Sequence, residues 1–157
     1  IPVNGALNPP ATDEVLGHYS KTKSLAERAV TAESRIATVA IRPHLVWGIG
    51  DTQLVGRIVD RAKQQRLFLV NRGEALVDTT YIDNVADALV AAAERIGVQE
   101  NLRGKALVVS NGGPRTVASL VTSICEAAHV SSTPRNIGLR AAVWIGALGV
   151  QTRRSQR

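Results

Sequence analysis

The stretch Ile36-Ala37-Thr38-Val39-Ala40-Ile41, closed by Arg42-Pro43, decides the fold. It is a nearly continuous apolar run with four β-branched residues, and a strand that reads this way is covered on both faces, as strands of parallel sheets are. Helical spacing appears on either side of it. Upstream, from about Gly17 to Glu33, the apolar positions are Leu25, Ala26, Ala29 and Val30. Downstream, Gln53 to Gln65 presents Leu54, Val55, Ile58, Val59 and Ala62, and Asn84 to Ile96 presents Val85, Ala88, Leu89, Ala92 and Ala93 as a buried stripe behind a cap at Asp83. Strand and helix alternate, so the class is α/β with at least some parallel pairing.

The remaining segments fit that plan. Residues Ile1 to Leu16, with Pro2, Gly5, Pro9 and Pro10, read as a loop, and Pro43 to Thr52, with Gly48 and Gly50, as a second loop at the carboxyl end of the first strand. Open α/β sheets bind their ligands at such ends. Leu67 to Val70 and Leu76 to Tyr81 are short strand candidates around Asn71-Arg72-Gly73. Lys105 to Ser110 is a further strand, followed by the turn Asn111-Gly112-Gly113-Pro114 and a helix from Val117 to Ala128 capped by Thr116. After a short extended piece near Thr133, Ala141 to Val150 is an apolar helix of about ten residues, half the length a bilayer crossing needs.

Composition narrows the function classes. The chain has 157 residues, 45% hydrophobic and 20% charged, with 3% aromatics and no Met, so its core is built from small and β-branched side chains. The formal charge is +6, but Lys and Arg are scattered rather than blocked with aromatics, which argues against a nucleic-acid partner. No signal peptide or transmembrane segment is apparent. Cys125 sits in an apolar helical pattern as a small buried hydrophobe, and a single cysteine suits a reducing, cytoplasmic setting.

Tyr19 and Lys23 carry the chemistry. Residues four apart share a helix face, so a phenol and an ammonium meet where the first helix begins. A phenol titrates near ~10, and a cation close by favours the phenolate and brings the group into a general acid/base range. The plain alternative is a solvated surface pair.

Three segments in order sharpen this: Tyr19-Ser20-Lys21-Thr22-Lys23-Ser24-Leu25-Ala26-Glu27, Ile41-Arg42-Pro43-His44-Leu45-Val46-Trp47-Gly48-Ile49-Gly50-Asp51, and Asp78-Thr79-Thr80-Tyr81-Ile82-Asp83-Asn84-Val85-Ala86-Asp87-Ala88. Over residues 15–130 the chain resembles the extended short-chain dehydrogenase/reductase superfamily, most closely its 3β-hydroxysteroid dehydrogenase/isomerase-like and sterol dehydrogenase-like branch. The resemblance implies the C-terminal part of a Rossmann-type doubly wound parallel sheet with part of a small substrate-binding region, in an NAD- or NADP-dependent oxidoreductase. In it Tyr19 exchanges the proton of the substrate oxygen, and Lys23 lowers the phenol pKa and holds the nicotinamide ribose. Pro43 and His44 lie against the nicotinamide, and Val46 and Trp47 near the substrate mouth. His44 has the bland reading of a loop residue, Trp47 that of packing, and no metal is implied.

In sugar-nucleotide epimerases and dehydratases of the superfamily an Asn and an Arg usually stand where this chain has Leu45 and Val77. Losing a polar anchor and a bidentate phosphate ligand favours an apolar hydroxy or keto compound, steroid-like or similar, over a nucleotide sugar. Neither the family's glycine-rich phosphate turn nor its catalytic Ser or Thr strand is seen before Tyr19. The expectation is therefore a partial domain, inactive and unable to bind dinucleotide in isolation. Residues 15–110 would be the second half of a nucleotide-binding domain with interleaved substrate-region segments and 111–157 part of a C-terminal substrate region, in a parent that could pair as a homodimer. An epimerase or dehydratase, and a non-catalytic dinucleotide sensor or scaffold, are the alternative readings.

Overall fold

The computed structural model describes residues 3–6 and 17–142. The expected helix at Ala141 to Val150 lies almost wholly outside them, although the chain turns helical from Leu139. The chain folds as two units, each made of separated segments: residues 1–48 with 78–113, and residues 49–77 with 114–157.

The first unit is built on a three-stranded sheet in the order β1-β7-β2, with β1 at Val3–Ala6, β2 at Val39–Pro43 and β7 at Lys105–Val109. β2 and β7 run parallel in unbroken register from Val39 opposite Lys105 to Pro43 opposite Val109. Helix α1, His18–Thr31, packs on β2. Two short strands, β3 (Leu45–Trp47) and β6 (Thr79–Tyr81), pair in parallel, and α3 (Ile82–Ile96) follows β6 and packs on both β2 and β6.

The second unit contains α2 (Val55–Lys63), β4 (Phe68–Val70), β5 (Leu76–Val77), β8 (Arg115–Thr116), α4 (Val117–Ala127) and β9 (Arg135–Ile137). β4 pairs in parallel with β9, β5 antiparallel with β8, and α2 packs on α4. Ala62, Leu67, Val121 and Cys125 form its dry core, with Ile58, Leu69, Val117 and Val130 against them. Burial, and then the Glu126 charge, raise the Cys125 thiol pKa. That is the inert small hydrophobe expected at this position.

Several boundaries differ from the sequence reading, each for a local reason. Val3–Ala6 is a strand within the expected leading loop: it pairs antiparallel with β7, and the register shift between Asn4 and Ala6 places a bulge at Gly5. β2 begins at Val39 rather than Ile36, which is 66% exposed, and continues through Pro43. Proline is tolerated at this strand's end because the next donor, His44 N–H, reaches Val109 O at 2.9 Å. The loop expected over Pro43 to Thr52 therefore contains β3. The strand expected over Leu76 to Tyr81 breaks at Asp78 into β5 and β6.

Asp83 is not the cap of α3; Tyr81 holds the N-cap position without a side-chain bond, and Asp83 lies in the first turn, where its charge favours the helix N-terminus. The stripe on α3 is not buried either: no residue of that helix is, and Leu89 is half exposed. Thr116 does cap α4, its Oγ1 accepting from Ser119 N–H at 3.1 Å. An unexpected cap is Asp51, whose carboxylate accepts from the amides of Gln53, Leu54 and Val55 at 2.8, 3.0 and 3.0 Å and opens α2. The Val55 amide first, then Leu54 and Gln53, hold its carboxyl below the ordinary value against the opposing effect of burial.

Candidate active site

Gly17, at φ +92, leads into α1, and the helix begins at His18. Tyr19 is therefore in its first turn and Lys23 one turn on. Tyr19 is 75% exposed, and the Lys23 ammonium lies over its ring, 5.9 Å from the centre. This is a cation–π approach at the outer limit of that interaction. The helix is anchored one turn further along: Arg42 of β2 grips Glu27 with both arms of its guanidinium, Nε donating at 2.6 Å to Oε2 and the terminal nitrogen to Oε1. The side chains are 25% and 14% exposed, and the carboxylate raises the arginine pKa further.

The parallel strands β2 and β7 end at Pro43 and Val109, and a polar lattice surrounds those ends. Thr80, fully buried, donates its hydroxyl to Val109 O at 2.9 Å. Asn111 N–H reaches Thr79 O at 2.8 Å, while its side-chain oxygen accepts from Tyr81 N–H at 3.2 Å and from the Asn84 amide at 2.8 Å. Burial alone would raise the Asp78 carboxyl, but the Ser110 hydroxyl, the Thr79 and Gly113 amides and the nearby His44 together hold it below its ordinary value.

Pro43 and His44 are exposed at this edge. Val46 and Trp47 follow on β3, 36% and 37% exposed. Trp47 meets Tyr81 edge to face, with centroids 5.1 Å apart at 68°, and its indole N–H donates to Thr79 Oγ1 at 3.2 Å. It is half packing and half surface. Gly48 is required by close approach, since a Cβ there would stand 2.4 Å from Ile82 Cγ2, and Gly50 by its φ of +79.

The structure thus brings Tyr19 and Lys23 together on an open helix face and gathers His44, Asp78, Ser110 and Asn111 at one sheet end. Asp78, Ser110, Asn111 and the Glu27–Arg42 pair were not singled out by sequence reasoning. Their signal was there in the polar residues abutting the apolar runs of β6 and β7, and in an acid one turn beyond Lys23. Among the described residues no cluster of His, Cys, Asp and Glu side chains could hold a metal ion, and no helix is long and apolar enough to cross a membrane.

Comparison with known proteins identifies the family of the chain. Residues 3–137 match the model of the 3-beta hydroxysteroid dehydrogenase/isomerase family. The chain is 41% identical over 146 residues to a 2-alkyl-3-oxoalkanoate reductase of Stenotrophomonas maltophilia, covering 92% of this chain and 44% of that protein. It is 36% identical over 116 residues to the decarboxylating sterol-4-alpha-carboxylate 3-dehydrogenase of Bos taurus, covering 71% and 33%. The chain therefore spans less than half the length of these relatives. In three dimensions it is similar to the Bordetella bronchiseptica enzyme WbmF, crystallised with NAD+, at a TM-score of 0.58 and 20% identity over 85% of this chain and 48% of that one. The likeness shows a common Rossmann-type α/β fold.

Proposed function

Because this chain belongs to the 3-beta hydroxysteroid dehydrogenase/isomerase family, we propose that the complete protein is an NAD(P)-dependent oxidoreductase acting on a secondary alcohol or ketone. The observation that carries this reading is the Lys23 ammonium 5.9 Å from the centre of the Tyr19 ring on the open face of α1, one turn from the ion pair that ties this helix to β2. An ammonium and a phenol are a donor set that suits ribose hydroxyls and a reacting carbonyl, so Tyr19, Lys23, Pro43 and His44 fit a nicotinamide dinucleotide. When bound, that cofactor supplies or takes up the hydride at the carbinol carbon. The work of this chain is then the proton: Tyr19 takes it from the hydroxyl in oxidation or gives it to the carbonyl oxygen in reduction. Lys23 holds its positive charge beside the phenol and orients the ribose. Val46 and Trp47 offer apolar surface to the substrate.

The names of the two relatives agree on a substrate class. A 2-alkyl-3-oxoalkanoate and a sterol 4-carboxylate oxidised at carbon 3 both place a carboxylate on the carbon next to the reacting centre, beside a large apolar body. The reading is therefore a β-hydroxy or β-keto acid with bulky hydrocarbon substituents. Leu45 and Val77 support it, since neither can anchor a sugar nucleotide. The complete protein, assayed by nicotinamide absorbance with either dinucleotide, should turn over 2-alkyl-3-oxo acids or sterol carboxylates at least about tenfold better, in kcat/KM, than UDP-sugars. Preference for a UDP-sugar, or dinucleotide binding with no turnover of any of them, would overturn it.

A further inference from the structure

Lys23 stands between two partners on α1, Tyr19 one turn before it and Glu27 one turn after. Both are within side-chain reach of a helical lysine. A carboxylate is the stronger partner for an ammonium, yet Lys23 lies over the Tyr19 ring. The reason is visible at Glu27: both carboxylate oxygens are engaged by Arg42 from β2. The other acid of this segment, Glu33, is likewise committed, to Arg35 at 2.7 Å, which holds its pKa at about 2. The remaining titratable groups of α1, His18, Lys21 and Arg28, bring no competing negative charge. β2 brings Arg42 as its one charged side chain, and α3, which also packs on β2, lines the groove beside Val30 and Val39 with Leu89, Ala92, Ala93 and Ile96.

The geometry points to Arg42 as a positioning residue that sequesters the Glu27 carboxylate and so leaves the Lys23 ammonium to Tyr19. This rests on the acid/base assignment of Tyr19 and Lys23. Glu27 alone would be harmful there, because its charge would draw the ammonium away and offset the positive potential at the phenol. Arg42 converts it into an anchor that fixes α1 on the strand leading to Pro43 and His44. A bidentate guanidinium does this and a lysine does not.

The test is a cycle of Arg42→Leu, Glu27→Gln and the double variant in the complete protein. Arg42→Leu should move the limb of the pH–rate profile that reports the phenol upward by about 0.5 pH unit. Glu27→Gln alone, which leaves the guanidinium uncompensated, should not move it upward, and the double variant should restore the wild-type position although it lacks the ion pair. A structural tether would lower thermal stability in all three variants and move the limb in none, and that result would overturn the proposal. So would a double variant that stays shifted.

A second measurement is independent of turnover. The difference in phenolate absorbance between the complete protein and its Tyr19→Phe variant, followed over pH in each member of the cycle, titrates Tyr19 directly. The same pattern across the cycle would uphold the Arg42 role even if no oxidoreductase activity were found; an unmoved phenol would reject it even in an active enzyme. Should Arg42→Leu fail to fold, Arg42→Lys keeps the charge, loses the fork, and should give a smaller shift of the same sign.

Discussion

The two units of this chain use burial differently. In the second, the buried positions Ala62, Leu67, Val121 and Cys125 are apolar and pack α2 against α4 as a dry core. In the first, Ala106 and Val109 are joined by the buried polar residues Ser24, Thr80 and Ser110, while Leu25, Val30 and Leu89 stay about half exposed. A buried hydroxyl must find a partner or cost stability. Thr80 finds Val109 O, and Ser110 finds the Gly112 amide and Asp78. One unit is held by shape and the other by directed bonds around the ends of β2 and β7. Directed bonds fix angles as well as distances, which is what a reacting group needs from its surroundings.

Substitutions can break or sharpen that contrast. The largest effect belongs to the first unit: Tyr19→Phe in the complete protein should lower kcat by about 10²–10⁴-fold at unchanged thermal stability, read from nicotinamide absorbance. A variant with full activity would remove the phenol from the mechanism. Next, Leu67→Ala in the dry core should cost about 2–5 kcal/mol in denaturant unfolding, whereas Leu25→Ala on α1 should cost less than about 1 kcal/mol. Equal losses would erase the distinction between the units. Thr80→Val, which keeps the shape and removes the bond to Val109, should cost about 1 kcal/mol.

The smallest effect is a matter of pH. The folded-state pKa of Asp51 is depressed, so its contribution is complete above the ordinary value of 3.8 and is lost as pH falls through the lower folded value. Asp51→Asn should therefore show a constant difference in stability from wild type near neutrality and a narrowing one on the acid side of 3.8, followed by acid titration of the unfolding midpoint.

What was legible in the sequence was whatever a period or a short motif encodes. The parallel strand before Pro43, the Thr116 cap, the buried Cys125 and the pairing of Tyr19 with Lys23 all follow from local rules, and the structure has them. The family was legible too, through three motifs that are weak singly and specific in order. The rest depended on partners far away in sequence. β1 forms because β7 offers its edge about a hundred residues later, despite the glycine inside it. Glu27 and Arg42 sit 15 residues apart, and Asn111 and Tyr81 30 apart, so no window of helical or strand period links them. The exposed stripe of α3 shows the converse: periodicity says which face is apolar, and packing decides whether it is covered.

The break at Asp78 has a kinetic meaning. The chain passes from one unit to the other after Gly48, after Val77 and after Gly113, so neither unit is a continuous stretch that a ribosome could finish and release. When α1 and β2 have been synthesised, the strand that pairs β2 is still about sixty residues away. The second unit likewise begins before the first is complete and must wait for α4 to cover α2. Closure of both is therefore a late, long-range event of the kind that makes folding slow. In the interval β2 waits without its β7 partner, so the pairing that sets Pro43 and His44 at the sheet end is among the last contacts of this stretch to form.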